Sequence, residues 1–375
     1  MSFNLKIKLI DKYLFKQVMG TTLVGMVLFI VIWISPEILF KIIRKVIGHE
    51  YTLIQGIKIF ILELPLVLGK AIPMGLLLGC LAVFDNLSKN FELTTLRSVG
   101  VSFKRILAPI LFISLIFCAV SFLTFDQFIP FSRKILDVNK GDKVNQQFVY
   151  VDKDINNKPQ KIIIISNFDG EKIYNVNVLS LSAKNSALVP LLKNIYIAPM
   201  AIYKNKALYL LDGMDYKLSS NNIYESITHF DDIKILENGK ATALIELMQF
   251  STQRARNLTN GELRHYIGLL KQEGMIEEYN YNLNKYYQRF FDSISCIFLA
   301  ILGCILGYAR PREQRLYGFT AAVGVIFAYY IFIPLIDLLA QKGVILPIIA
   351  AAIPCSIVVG AIFLSLKLKS IDIVK

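Results

Sequence analysis

Charge is scarce in this chain, and so are the residue types from which most active sites are built. Only 18% of the 375 residues are Asp, Glu, Lys or Arg, against roughly 25% in an ordinary soluble domain. The three histidines, His49, His229 and His265, are scattered, and His49-Glu50 lacks the second histidine of a zinc-protease motif. All five cysteines (Cys80, Cys118, Cys296, Cys304 and Cys355) sit inside apolar runs, so the polar middle holds neither a disulfide framework nor a paired-cysteine metal site. Gly69-Lys70 is followed by Ala71, and Leu64 stands where a P-loop places its first glycine. No serine-hydrolase elbow and no carboxylate pair in a plausible membrane cavity is visible. These absences predict a chain with no catalytic residue, no metal ligand, no cofactor and no ATPase site.

What is abundant is apolar. Hydrophobic residues make up 55% of the sequence, and mean hydropathy is +0.52. A bilayer core about 30 Å thick needs about 20 helical residues to cross it. Six runs qualify: Val18 to Pro36, ending near Phe40; Ile59 to Phe84, which contains Glu63, Pro65, Lys70 and Pro73; Ile106 to Phe125; Ser293 to Ala309; Leu316 to Ile336; and Gly343 to Leu366. The net charge of +13 does not point to nucleic acid, because the basic residues flank apolar runs. They are Lys6, Lys8, Lys12 and Lys16 at the start, then Lys89, Arg97, Lys104 and Arg105 between spans two and three. Arg310, Arg312 and Arg315 lie between spans four and five, and Lys367, Lys369 and Lys375 in the tail. All four groups fall on one side of a six-span topology, which the positive-inside rule makes cytoplasmic.

Lys41, Arg44 and Lys45 break that trend on the outer side, at a spacing that shares one helical face. Two readings stand: snorkelling side chains at a helix end, or a cluster that meets an anionic lipid head group. Lys70 is the other conspicuous cation, since a mid-span lysine costs roughly 2.5–3.5 kcal/mol on insertion scales. It is expected to face protein or a polar cavity, with Glu63, seven residues earlier, as a partner or with a lipid ligand.

The middle of the chain reads as β structure. Lys161–Ile165, Tyr174–Leu179, Ile195–Tyr203 and Ala207–Leu211 are strand-like, with turn signals at Asp169-Gly170, Asn185-Ser186 and Asp212-Gly213. Tyr174, Val176 and Val178 alternate with Asn175 and Asn177, the mark of a sheet with one wet face. An all-β domain, a sandwich or a jelly-roll-like fold, is expected. Thr259 and Glu262 form a capping-box pattern ahead of Leu263, Tyr266, Ile267 and Leu270, Gly274 interrupts, and a further helical stretch leads into span four. The expected organisation is an N-terminal membrane bundle over 1–129, a β domain over 130–250, connector helices over 251–290 and a C-terminal bundle over 291–375.

The segment from Leu87 to Ser102 is the most specific signal. It predicts a short cytoplasmic helix over about 88–100, capped by Ser88 or Asn90 and ended by Gly100, with Leu93, Leu96 and Val99 or Gly100 on one side and Glu92 and Arg97 elsewhere. This run, from the acidic residue before the leucine to Gly100-Val101-Ser102, resembles the coupling helix of the lipopolysaccharide-export permeases, the LptF/LptG (YjgP/YjgQ) family. The likeness extends along the chain, through Asp11-Lys12-Tyr13-Leu14, Leu64-Pro65, Ile72-Pro73, Leu302-Gly303 to Gly307, Arg310, Arg312, Tyr329-Tyr330, Gly343 and Pro354. It departs at Arg289-Phe290-Phe291, where the family commonly has a proline, and at Ile353 and Cys355, which flank the proline of span six.

The resemblance implies a non-catalytic permease subunit in a bacterial inner membrane, with both termini cytoplasmic and the β domain periplasmic. It implies a second such permease or a second copy, a dimeric cytoplasmic ATPase (LptB-like) and a periplasmic jelly-roll protein (LptC/LptA-like). Lipopolysaccharide would be drawn from the outer leaflet and handed on. Glu92, Leu93, Leu96, Arg97 and Gly100 would engage the ATPase, while Lys41, Arg44, Lys45 and Lys70 are the head-group candidates. A secondary transporter or a lipid-binding scaffold is the alternative without an ATPase. The topology has a direct check: single cysteines labelled from the periplasm of intact cells should react at position 185 and stay silent at position 90.

Overall fold

The computed structural model describes residues 9–34, 39–140, 148–153, 158–168, 172–182, 191–219, 223–251, 255–308 and 316–369. The expected basic positions Lys6, Lys8, Arg310, Arg312, Arg315 and Lys375, and the turn signals Asp169-Gly170 and Asn185-Ser186, lie outside them. Among the described residues, six helices are long and apolar enough to cross a membrane, and a six-stranded antiparallel sheet is inserted after the third of them. The chain divides into two compact units. One takes in Met1–Leu136, Arg256–Asn260 and Glu277–Lys375, the other Asp137–Ala255 and Gly261–Ile276.

In the membrane unit, α1 (Leu9–Ile34) is followed by the short α2 (Phe40–Ile47), the long α3 (Leu53–Lys89), α4 (Glu92–Ser98) and α5 (Phe103–Leu123). A π-helical turn (Thr124–Phe128) leads from α5 into α6 (Ile129–Lys140). Helix thus continues well past residue 130, where β structure was expected. Ser132, Arg133 and Leu136 are buried, so the first turns of α6 belong to this unit. After the β unit come α9 (Ile276–Gly307), α10 (Leu316–Gln341) and α11 (Pro347–Lys369).

Helix α3 is the hub. Its Ile72, Leu76, Cys80, Val83, Phe84 and Leu87 pack with Leu14 and Val18 of α1, Leu93 of α4, and Phe103, Ile106, Ile110 and Ile113 of α5. Its Ala71, Met74, Leu77 and Leu81 enter a second cluster with Leu299, Leu302 and Ile305 of α9, Tyr329 of α10 and Val358 of α11. Lipid tails are as apolar as leucine, so burial alone cannot draw these helices together; close van der Waals contact through small residues does. Two glycine pairs at four-residue spacing supply it. A Cβ on Gly79 would lie 2.6 Å from Thr22 Cα, and Gly75 sits against Met26, which brings α1 onto α3. A Cβ on Gly303 would lie 2.5 Å from Leu77 O, and Gly307 sits against Leu81 O, which brings α9 onto α3.

Buried charge in this unit is paired. Glu63 takes both guanidinium nitrogens of Arg133, one at 2.9 Å. The expected partner was Lys70, but seven residues of helix separate Glu63 from it by about 10 Å along the axis. Arg289, only 5% exposed, donates to Asn260 Oδ1 at 2.7 Å and to Leu258 O at 2.7 Å. The Asn260 amide in turn donates to Asp126 Oδ1 on the π turn at 2.8 Å. Arg289 thus ties the chain around residue 260 to α9. Asp337 of α10 accepts from Asn284, Gln288 and Lys285 of α9, and Tyr329 donates to Asp292 at 2.6 Å.

In the other unit, β1 (Phe148–Lys153), β2 (Pro159–Phe168), β3 (Lys172–Ser182), β4 (Leu191–Lys204), β5 (Ala207–Leu218) and β6 (Tyr224–Leu236) pair in sequence order within one sheet. The inserted antiparallel β domain is as expected. The crossed connections of a jelly roll have no counterpart among the described strands, which form a meander. Asn205 and Lys206, both at positive φ (51° and 59°), make the tight turn between β4 and β5, as a type I′ hairpin requires. Asp212-Gly213 is no turn; it lies within β5. Asp212 (φ 52°) stands on β5 as Asn175 (φ 52°) stands on β3, and across each the buried parity switches. Ile173 is buried before Asn175, and Val176 and Val178 after it; Leu208 and Leu210 are buried before Asp212, and Asp215 after it. Two left-handed residues therefore roll the sheet over without a register shift at either, and Lys161 of β2 reaches Ile235 O of β6 at 2.6 Å.

Helices α7 (Asn238–Ser251) and α8 (Asn260–Gln272) complete this unit. Lys240 of α7 pairs with the buried Asp152 at 2.5 Å, and Tyr150 donates to Glu273 at 2.6 Å. Burial, then the Glu273 carboxylate, pushes the Tyr150 phenol well above its ordinary range. Helix α8 starts directly after Thr259, buries Leu263, Tyr266, Ile267 and Leu270 as its periodicity predicts, and is followed by Gly274 at φ 66°.

Overpacking a fitted contact costs about 1–3 kcal/mol. Gly79→Val should therefore lower the melting temperature in detergent by several degrees, because its side chain meets Thr22 backbone. Gly324→Ala, where a Cβ meets nothing within 4 Å, should not lower it; equal melting of the two would remove the glycine contact as the link between α1 and α3.

Candidate functional site

Two polar clusters stand at opposite ends of α3. At its C-terminal end, α3 runs through Lys89, so neither Ser88 nor Asn90 caps α4 as expected. Phe91, left-handed at φ 60°, makes the corner instead. Helix α4 is ended by a Schellman motif: Gly100 N–H donates to Arg97 O and Val101 N–H to Leu96 O, both at 3.0 Å, with Gly100 at φ 87°. That is a conformation glycine adopts without the Cβ penalty.

The five residues singled out on this helix take three directions. Leu93 is 1% exposed and Leu96 packs beside it, both in the cluster built on α3 and α5. Val99 does not join them; it is 78% exposed. The Glu92 carboxylate accepts from Tyr13 Oη of α1 at 3.1 Å and from Asn90 Nδ2 at 3.4 Å, at an exposed position. Arg97 donates to Tyr308 Oη at 2.8 Å and lies 5.9 Å from that ring's centroid. The helix is thus bolted to α3 by leucines and offers its carboxylate outward. Tyr13 and Tyr308 were not singled out for a role, and no local spacing shows it, since they lie 79 and 211 residues from their partners.

At the N-terminal end of α3, α2 presents three faces. Ile42 and Val46 pack on Gly56 of α3, and Phe40, Ile43 and Ile47 are exposed. Lys41, Arg44 and Lys45 occupy the remaining arc. Lys45 is engaged, with Glu50 at 3.3 Å and Tyr51 Oη at 3.3 Å; the hydrogen bond to Tyr51 and then that to Glu50 raise its pKa, so it stays protonated. Lys41 and Arg44 have no ion pair among the described residues. An amphipathic helix with bare isoleucines beside bare cations is fitted to a membrane–water boundary.

Lys70 is not brought to this triplet. It lies fourteen residues past Gly56 on α3, about 21 Å along the axis, with its ammonium 5.8 Å from the Tyr330 ring centroid of α10. The four head-group candidates therefore form one cluster of three at the helix end and one separate mid-helix cation. Among the described residues no group of three or more His, Cys, Asp or Glu is placed to hold a metal.

Compared with models of protein families, residues 12–367 match the one described as "Lipopolysaccharide export system permease LptF/LptG". No curated protein matches the chain.

The geometry of α4 makes a local prediction. Alanine in a left-handed conformation costs roughly 1–2 kcal/mol, so Gly100→Ala should fray the end of α4. Hydrogen exchange of residues 92–101 should accelerate by about tenfold while the melting temperature barely moves; unchanged exchange there would mean that the Schellman turn does not hold the helix.

Proposed function

The chain belongs to the LptF/LptG family of lipopolysaccharide export permeases, and from that premise we propose that it is the membrane subunit of an ATP-driven exporter that lifts lipopolysaccharide from the outer leaflet of the inner membrane. Six apolar helices and the family match make it a multi-pass inner-membrane protein. On the proposed orientation α4 is cytoplasmic, α2 lies at the outer surface and the β unit is periplasmic.

The energetics ask for a partner. Each buried CH₂ is worth about 0.8 kcal/mol, so one ordinary acyl chain costs on the order of 10 kcal/mol to extract, and a multi-chain lipid several times that. Family membership and the lack of a P-loop in the sequence support an ATPase bound from outside, at the cytoplasmic helix. Lys41 and Arg44 are the residues proposed to attract head-group phosphates, with Lys45 supporting them and Lys70 meeting polar groups deeper down. The β unit is proposed to pass the lipid to a periplasmic jelly-roll bridge, and a second permease or second copy closes the cavity.

The observation that carries this reading is α4. Leu93 is buried and Leu96 half-buried against α3 and α5, while the half-exposed Glu92 carboxylate reaches the surface beside Tyr13, so force on Glu92 is passed to two spans. Losing a carboxylate from a desolvated charge contact costs roughly 2–5 kcal/mol of association. Glu92→Lys should leave the protein inserted and folded but detach the ATPase, or uncouple ATP hydrolysis from lipid release. Tyr13→Phe, which removes one of the two internal hydrogen bonds to Glu92 and leaves its charge, should do neither. Normal ATPase binding with full transport in Glu92→Lys would end the coupling-helix assignment.

A further inference from the structure

Helix α4 is braced near its two ends by tyrosines from different triplets of spans. Glu92 accepts from Tyr13 Oη of α1 at 3.1 Å. Five residues on, about 7.5 Å along the helix, Arg97 donates to Tyr308 Oη at 2.8 Å. Tyr308 directly follows α9, whose last turn is closely fitted: a Cβ on Gly307 would lie 2.4 Å from Leu81 O and 2.8 Å from Phe84 Cβ. The Tyr308 ring stands edge-on to Phe103 of α5 at 6.0 Å, and Phe103 stands edge-on to Phe84 of α3 at 6.2 Å. Tyr308 also packs against both hydrophobic clusters, the one that joins α3 to α1 and α5 and the one that joins α3 to α10 and α11.

The two braces differ in what they add. Leu93 and Leu96 already pack α4 on α3 and α5, and α1 lies on α3 through Gly75 and Gly79. Tyr13 therefore gives α4 no new companion. Tyr308 does, because it stands at the end of the span that opens the second triplet. Apolar packing is non-directional and slips when a helix turns, whereas a hydrogen bond to a guanidinium holds only along its own direction. Helix α4 hinges on the single left-handed Phe91, so rotation about that corner swings Arg97 further than it swings Leu93. Arg97 is exposed, and an exposed contact of this kind holds little folding stability. What it adds is a tie between α4 and α9.

We propose that the Arg97–Tyr308 contact is the latch through which α4 moves the second triplet of spans, with Tyr308 a positioning residue for coupling. Glu92 meets the ATPase, and Arg97 hands the motion to α9. This rests on the coupling-helix reading above and adds that Arg97 acts inward, through Tyr308, and not on the ATPase.

The test uses the full chain with the ATPase that co-purifies with it, in proteoliposomes carrying lipopolysaccharide, and reads lipid released per ATP hydrolysed. One net hydrogen bond corresponds to roughly a two- to tenfold change in an equilibrium constant. Tyr308→Phe removes the hydroxyl and keeps the ring on Phe103, and Arg97→Gln removes the cation. Each should lower release per ATP by about that factor, with bound ATPase and melting temperature unchanged. The double variant should be no worse than the poorer single one, because both remove the same bond. Arg97→Glu with Tyr308→Lys rebuilds a bridge with the roles exchanged and should release more per ATP than Arg97→Glu alone. Wild-type release per ATP in both single variants overturns the proposal. So do losses that multiply in the double variant, or an exchanged pair no better than Arg97→Glu alone. An Arg97→Gln variant that sheds the ATPase would make Arg97 an ATPase contact, and overturns it as well. Glu92→Lys is judged by ATPase binding and these variants by release at normal binding, so a failure here leaves the coupling-helix assignment standing.

Discussion

The membrane unit depends on how closely two helices can approach α3. In hydrocarbon nothing expels apolar side chains toward one another, so a helix pair holds only where its surfaces touch over many atoms. Gly75 and Gly79 bring α1 in on one side, and Gly303 and Gly307 bring α9 in on another. With those contacts made, most of α3 from Val67 to Ser88 is buried. Its side chains are shared between a cluster with α1, α4 and α5 and a cluster with α9, α10 and α11. The two triplets of spans are one packed object because α3 belongs to both.

That constraint places the polar chemistry. Helix α4 hangs from the C-terminal end of α3 through a single left-handed residue, Phe91, and is pinned by Leu93. Helix α2 rests on the N-terminal end through Ile42, Val46 and Gly56. The helix proposed to feel the ATPase and the helix proposed to feel the head group are therefore the two ends of one rod. On the proposed reading a rod needs no relay of side chains through the bilayer to join them.

Most of the architecture was legible because the bilayer leaves few choices: a run of 20 apolar residues must become a helix. The six spans were readable for that reason, and the inserted β domain and α8 from strand alternation and helical spacing. What was not readable depended on contacts distant in sequence. Glu63 was assigned to Lys70 because they share a helical face, yet Arg133, seventy positions on, closes the pair. Asp212-Gly213 has the composition of a turn, but a left-handed residue can also bend a strand in mid-course, and only the neighbouring strands decide which. Of the α4 residues, Glu92 and Leu93 fell where the pattern put them, whereas Val99 turned outward because the Schellman turn at Gly100 redirects the chain one residue later.

The buried charges follow a rule that separates framework from function. Arg133 takes both carboxylate oxygens of Glu63, and Arg289 and Asp337 each meet several partners inside one chain. Removing Glu63 would strand the Arg133 charge in a low dielectric, a loss of roughly 3–5 kcal/mol. Such groups hold helices in register and are not free to meet a ligand. Lys12, Lys16, Lys41 and Arg44 are the opposite case: long cationic side chains at the ends of apolar stripes, exposed and with no ion pair among the described residues. An unpaired cation at a membrane boundary costs little while water reaches it, and it gains a partner only when an anionic head group arrives. Exposed cations of this kind are therefore where lipid chemistry is best sought.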